Sequence, residues 1–201
     1  MPLGRDDGPA TVRALALGGI VGPAAFVGAW VTAGAITSLD VSPIDDAISR
    51  LAAVGSDTRV LMSAGLVVFG CGLVSYAVAL RRVVGGPAWI AAATTGIATL
   101  GVAATPLDHS GGVDALHAVF ATVCYVSLVA VPALAARPLR RCGQRGLAGA
   151  GVLAAAVSAV CLATSVAGLP TGLLQRVGLT SSDLWIAASA VAIVRSGGRR
   201  R

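Results

Sequence analysis

Neither lysine nor glutamate occurs anywhere in this 201-residue sequence; every basic residue is arginine and every acidic one aspartate. Without lysine there is no G-x-x-x-x-G-K-S/T loop, which excludes the standard phosphate-cradling NTPase motif. Together with the abundance of Ala, Gly and Val, the two absences point to a GC-rich bacterial genome. Charge of either sign is scarce, at 12% of residues against 56% hydrophobic, whereas soluble domains carry about 25% charged residues. The mean hydropathy is +0.84. A water-soluble fold cannot bury that much apolar surface and still present a polar exterior, so the bilayer is the natural solvent. The formal net charge of +6 does not signal nucleic acid, because the arginines stand in short clusters between apolar runs.

Histidine is nearly absent, with only His109 and His117. That is too few for the three-His zinc sites of seven-helix ceramidase-like amidases, and no HxxxH or HExxH spacing occurs. The two also stand too close together for a haem held between facing helices, as in the cytochrome b561 kind. No GxSxG elbow marks a nucleophilic serine. Four cysteines occur: Cys71, Cys124 and Cys161 in apolar runs and Cys142 in a basic loop. None falls in an outward-facing loop, so they read as small buried hydrophobes rather than a disulfide framework.

Long apolar runs are plentiful. A membrane span takes roughly 20 apolar residues, and six runs qualify: residues 14–37, 60–80, 87–105, 113–136, 146–169 and 179–194. Residues 14–39 lack any charge and exceed a signal-peptide core of about 7–15 residues, so the first run reads as a span that stays. The sixth is the shortest, with Thr180, Ser181, Ser182 and Asp183 near its start. The expected fold is all-α: an integral membrane bundle of six transmembrane helices at 14–194, flanked by a cytoplasmic tail at 1–13 and a basic one at 195–201. Close helix packing is expected at Gly18-x-x-x-Gly22 and along a fifth span rich in Gly and Ala, and kinks are expected at Pro23 and Pro132.

Arginine counting sets the orientation. With six spans and the N-terminus inside, twelve of the fifteen arginines fall inside, and only Arg50, Arg59 and Arg176 outside. Aspartates run the other way, with only Asp6 and Asp7 inside. Five spans would put the C-terminal arginines outside, against the rule. The expected location is a bacterial cytoplasmic membrane with both ends cytoplasmic. The cores of these spans hold no charge in this reading.

The polar residues therefore gather outside. In the first outer loop Ser42-Pro43-Ile44-Asp45 reads as a helix start. Ile44, Ala47, Ile48, Leu51 and Ala52 then share one face, predicting a short interfacial helix that lies on the membrane or caps the bundle. Asp46 and Arg50 are spaced for an i,i+4 ion pair. The second outer loop brings Asp108, His109, Asp114 and His117 within ten residues. These are metal-capable types, but a metal needs three or four converging ligands, and no metal or cofactor is expected. Asp114 also suits the first turn of a helix electrostatically. Ahead of the sixth span lie Gln175 and Arg176, and Arg176 runs against the charge trend. It needs an anionic partner, either an aspartate of another loop or a lipid phosphate.

Gly22-Pro23, Ser42-Pro43 through Ile48-Ser49, Gly111-Gly112 with His117, and Gln175-Arg176 resemble a bacterial and archaeal membrane family, domain of unknown function 998, over roughly residues 14–194. The resemblance implies a six-helix membrane protein and supplies no reaction and no catalytic residues. More distantly, the architecture resembles six-helix groups such as the Frag1/DRAM/Sfk1 proteins. The expected role is non-enzymatic. A polar outer site of Asp46, Arg50, Asp108, His109, Asp114, His117, Gln175 and Arg176 would bind a lipid headgroup or small ligand, or serve a partner complex. Membrane lipids and other membrane proteins are the expected partners. The alternatives are a membrane-embedded metal-dependent hydrolase or lipid-modifying enzyme, and a transporter of a small hydrophobic substrate.

Overall fold

The apolar runs form helices because nothing else satisfies backbone polar groups where water is absent. The computed structural model describes residues 8–167 and 169–196. The helices are α1 (Pro9–Ile36), α2 (Arg59–Val83), α3 (Ala88–Ala104), α4 (Gly111–Arg141), α5 (Arg145–Val166) and α6 (Thr171–Ser196). Five are long and apolar enough to cross a membrane, and α3, with 17 residues, is a shorter apolar helix. The short element is thus the third rather than the sixth. α6 begins eight residues earlier than its hydropathy suggests, so Gln175 and Arg176, expected ahead of the span, lie in its first half. The tail residues Arg5, Asp6, Asp7, Arg199, Arg200 and Arg201 lie outside the described residues.

Short connections make sequence neighbours antiparallel. Each helix packs on the next, and α6 packs back on α1, closing a ring. α6 also touches α4 and α2 across the ring. Six alternating helices place both ends of the bundle's chain at one end, together with Arg13, Arg81, Arg82, Arg137, Arg140, Arg141, Arg145 and Arg195. There Arg81 lies over the Trp89 ring at 4.8 Å.

Between helices in lipid, close van der Waals contact and hydrogen bonds replace the hydrophobic drive. A Cβ on Gly72 of α2 would stand 2.6 Å from the Gly18 carbonyl oxygen of α1 and 3.0 Å from Gly22 Cα, so the expected Gly18/Gly22 contact is made, against α2. Polar links stitch the ring: Ser75 to the Leu15 carbonyl at 3.1 Å, Thr95 to Ser127 at 2.9 Å, Tyr76 to Ser189 at 2.6 Å, and Ser158 to Ser182 at 2.8 Å. Pro23 and Pro132 sit inside α1 and α4, and both helices continue past them.

A strap, residues 37–58, crosses the end opposite the arginines. The interfacial α-helix expected there does not form. One turn starts, with the Asp46 N–H on the Ser42 carbonyl at 2.9 Å, and only a 3-10 helix, Ile48–Ala52, follows. The reason is competition from α6. An α-helix would join Ile48 N–H to the Ile44 carbonyl. Instead Ile48 N–H donates to Gln175 Oε1 at 2.7 Å, and the Ile44 carbonyl accepts from Leu173 N–H at 2.9 Å. Ile44 is exposed, while Ile48 and Leu51 are buried against the bundle.

Candidate functional site

Beneath the strap lies a cavity of about 50 Å³, enough for a few water molecules or a small group. Every helix but α5 contributes to its lining, and so does the strap. On α6 the contributors are Gln175, Leu179 and Asp183, at i, i+4 and i+8, which the helical period puts on one face. On α4 they include His117, Ala121, Cys124, Tyr125 and Leu128, again one stripe. Phe26, Met62, Leu66 and Phe69 supply the apolar wall.

The polar groups are tied in three separate links. His117 is buried, and its Nδ1 stands 2.5 Å from the Thr105 carbonyl oxygen. A carbonyl only accepts, so Nδ1 carries the hydrogen and Nε2 is left free to accept when the ring is neutral. Gln175 is spent at both ends: Oε1 accepts from Ile48 N–H, and Nε2 donates to the Tyr125 hydroxyl. Thr99 Oγ1 donates to the Thr95 carbonyl at 2.8 Å and meets Cys124 Sγ at 3.4 Å.

Asp183 stands apart. It is 2% exposed, and neither carboxylate oxygen has a hydrogen-bond partner. It lies twelve residues into α6, about 18 Å along the helix axis. This corrects two expectations, that Asp183 lies outside and that the cores of the spans hold no charge. A buried carboxylate is satisfied by a proton, a donor or a cation. Within a membrane domain such a group marks a functional site by default.

The residues expected to form one outer site are distributed over several places. His117 and Gln175 reach the cavity. Arg50 pairs with Asp108 at 3.3 Å rather than with Asp46, both side chains about half exposed. These two line a separate open depression of about 270 Å³ with Asp40 and Gly55. Asp108 holds a left-handed backbone, φ +61°, which aspartate tolerates better than most residues. Asp46 accepts from the Ser42 N–H at 2.8 Å. For Arg176 the aspartate of another loop is Asp46, whose charge acts on the guanidinium. It donates to the Pro43 and Asp46 carbonyls at 2.9 and 3.1 Å, and lies over the Trp30 ring at 5.5 Å. His109 is exposed. Asp114 sits in the first turn of α4 after the Ser110 cap, with Oδ1 buried and unbonded. Among the described residues no three His, Cys, Asp or Glu side chains gather as a metal site.

The family model described as protein of unknown function, DUF998, matches residues 20–192. The chain belongs to the DUF998 family. No curated protein and no solved structure matches it. The match takes in the strap and at least part of all six helices of this DUF998 chain, so the cavity lies wholly inside the family domain. Sequence reasoning missed Asp183 and Tyr125 as members of the site. Asp183 was masked by the polar run 180–183, which reads as a helix start at an interface. The 175/179/183 spacing was the available signal. Nothing in the sequence singles out Tyr125.

Proposed function

We propose that this DUF998 protein is a six-span protein of a bacterial cytoplasmic membrane, both ends cytoplasmic, whose central cavity binds a small ligand under the strap. Asp183 carries this reading. A carboxylate with two unbonded oxygens, in a cavity with the open face of His117, is poised for a donor or cation that arrives with the ligand. The strap residues Gln175 and Arg176 hold are then the cover of that site. The six-span count is supported by the ring: α3 lies between α2 and α4. Its 17 residues reach about 26 Å, a mismatch that local thinning absorbs. The clustered arginines support the orientation.

Native mass spectrometry of the protein released from its own membrane tests the proposal. A small molecule carried by the wild type and missing from Asp183→Asn supports it. Equally bare spectra for both proteins count against it. A second reading, a carrier of a small hydrophobic substrate, is favoured by the same carboxylate, because intramembrane ionisable groups line substrate paths. Proteoliposomes that accumulate no hydrophobic solute would set the carrier reading aside and leave the binding reading intact.

A further inference from the structure

We infer that the ligand is a single-chain amphiphile with an amine head, taken up sideways from the bilayer between α4 and α5 past Tyr125. The inference rests on the central cavity being a ligand site and adds the ligand's class and its route.

The strap lies over the aqueous side of the cavity. Ile48 and Leu51 of the strap are 3% and 0% exposed. The strap is fixed from three directions. Gln175, Arg176 and the Leu173 N–H hold it to α6. The Val54 N–H on the Leu107 carbonyl at 2.9 Å and the Arg50–Asp108 pair hold it to the next loop. Asp57 accepts from the Thr37 hydroxyl and the Ser38 N–H, tying the strap's two ends together.

The lipid side is indented. A second hollow, about 320 Å³, indents the outer face of α4 and α5, lined by Thr122, Val126, Val129, Ala159, Leu162 and Ala163. Tyr125 lines this hollow and the central cavity alike, the one lining residue the two share. The hollow suits hydrocarbon. Its walls are aliphatic apart from Tyr125 and the Thr122 hydroxyl, which is turned back onto the Ala118 carbonyl at 2.8 Å. Val126, on its rim, is 67% exposed, where lipid chains would lie.

The head chemistry follows from which polar atoms remain unused. Both Gln175 polar atoms are bonded, and the Thr99 hydrogen is given to Thr95. Two Asp183 oxygens and His117 Nε2 are left as acceptors, beside the one unspent Tyr125 O–H hydrogen, with a negative charge on Asp183 when ionised. An alkylammonium brings three N–H donors and the neutralising charge. The cavity has room for a head of a few heavy atoms, and the tail would lie in the hollow outside Tyr125.

The test uses the full chain in phosphatidylcholine nanodiscs, with dodecylamine, dodecanol and dodecanoate as probes of equal tail and different head. Saturable binding is expected for dodecylamine alone, weakened at least tenfold by Asp183→Asn. Ala163→Phe and Val126→Phe, which fill the hollow from two helices at lipid-exposed positions, should each weaken it at least tenfold, with unchanged helicity and elution confirming their fold. Dodecylamine binding lost in Asp183→Asn but indifferent to both hollow-filling variants overturns the sideways route and leaves the cavity site standing. Saturable binding of dodecanol or dodecanoate in place of the amine overturns the head assignment, as does no saturable binding of dodecylamine. Dodecylamine binding unchanged in Asp183→Asn overturns this inference and the cavity reading together.

Discussion

A carboxylate enclosed by protein with neither oxygen bonded destabilises the fold that contains it, by about 1–3 kcal/mol or more. Asp183→Leu is therefore expected to raise the thermal midpoint of ligand-free protein, by roughly 2–4 °C per kcal/mol gained. Circular dichroism in detergent would measure this, and a midpoint below wild type would mean that the carboxylate is already satisfied. Asp57 is the opposite case. The Ser38 backbone N–H, with the Thr37 hydroxyl adding to it, holds its carboxyl below the usual carboxylate range. A folded pKa lower than the unfolded one gives a contribution complete above the unfolded value and lost as pH falls through the folded one. Asp57→Asn should therefore lower stability at neutral pH and flatten the acid limb of a midpoint-against-pH curve. Parallel acid limbs in variant and wild type would contradict the assignment.

At the scale of elements, the strap and the first two turns of α6 form one mechanical unit. A Cβ on Gly172 would stand 2.8 Å from the Pro43 carbonyl oxygen and closer still to that of Asp46, so the strap seats only against glycine. Gly172→Val and Arg176→Ala should each loosen it. A loss of about 1–2 kcal/mol raises the open population roughly 5- to 30-fold, and limited trypsin cleavage after Arg50 should rise accordingly. Unchanged cleavage in both variants would mean that the strap is held elsewhere. The helices themselves were legible from apolar length alone, but two boundaries were not, and the causes are physical. Hydropathy averages around a helix and cannot tell which face a polar residue takes. Ser182 turns to Ser158 and Asp183 to the cavity, so a run that resembles an interface is the polar inner stripe of a span. In the strap the amphipathic pattern was real, and Ile48, Leu51 and Ala52 are buried as it implies. The α-helix was lost because α6, more than a hundred residues away, takes its hydrogen-bond partners.

For the whole molecule, charge distribution was the most legible property. The described arginines among those that set the expected topology do share one end of the ring, while the site was only half readable, through His117 and Gln175. Orientation can be tested with the native cysteines. Cys142 is exposed in the turn between α4 and α5, at the arginine end, whereas Cys71 and Cys161 lie along α2 and α5 and Cys124 is buried. A membrane-impermeant maleimide is expected to label Cys142 in inverted vesicles and not in intact cells, and the reverse pattern would invert the proposed topology. Ring closure by α6 also has a consequence for biogenesis. Of the five long helices α6 has the lowest mean hydropathy, and an aspartate at a helix centre opposes membrane insertion by about 2.5–3.5 kcal/mol. It emerges from the ribosome after the other five, when α1 and α2 already present Gly19 and Tyr76 to receive it. The unfinished horseshoe of α1 to α5 is thus a template that admits a segment lipid alone would resist, and the binding cavity exists only once the last helix has been accepted.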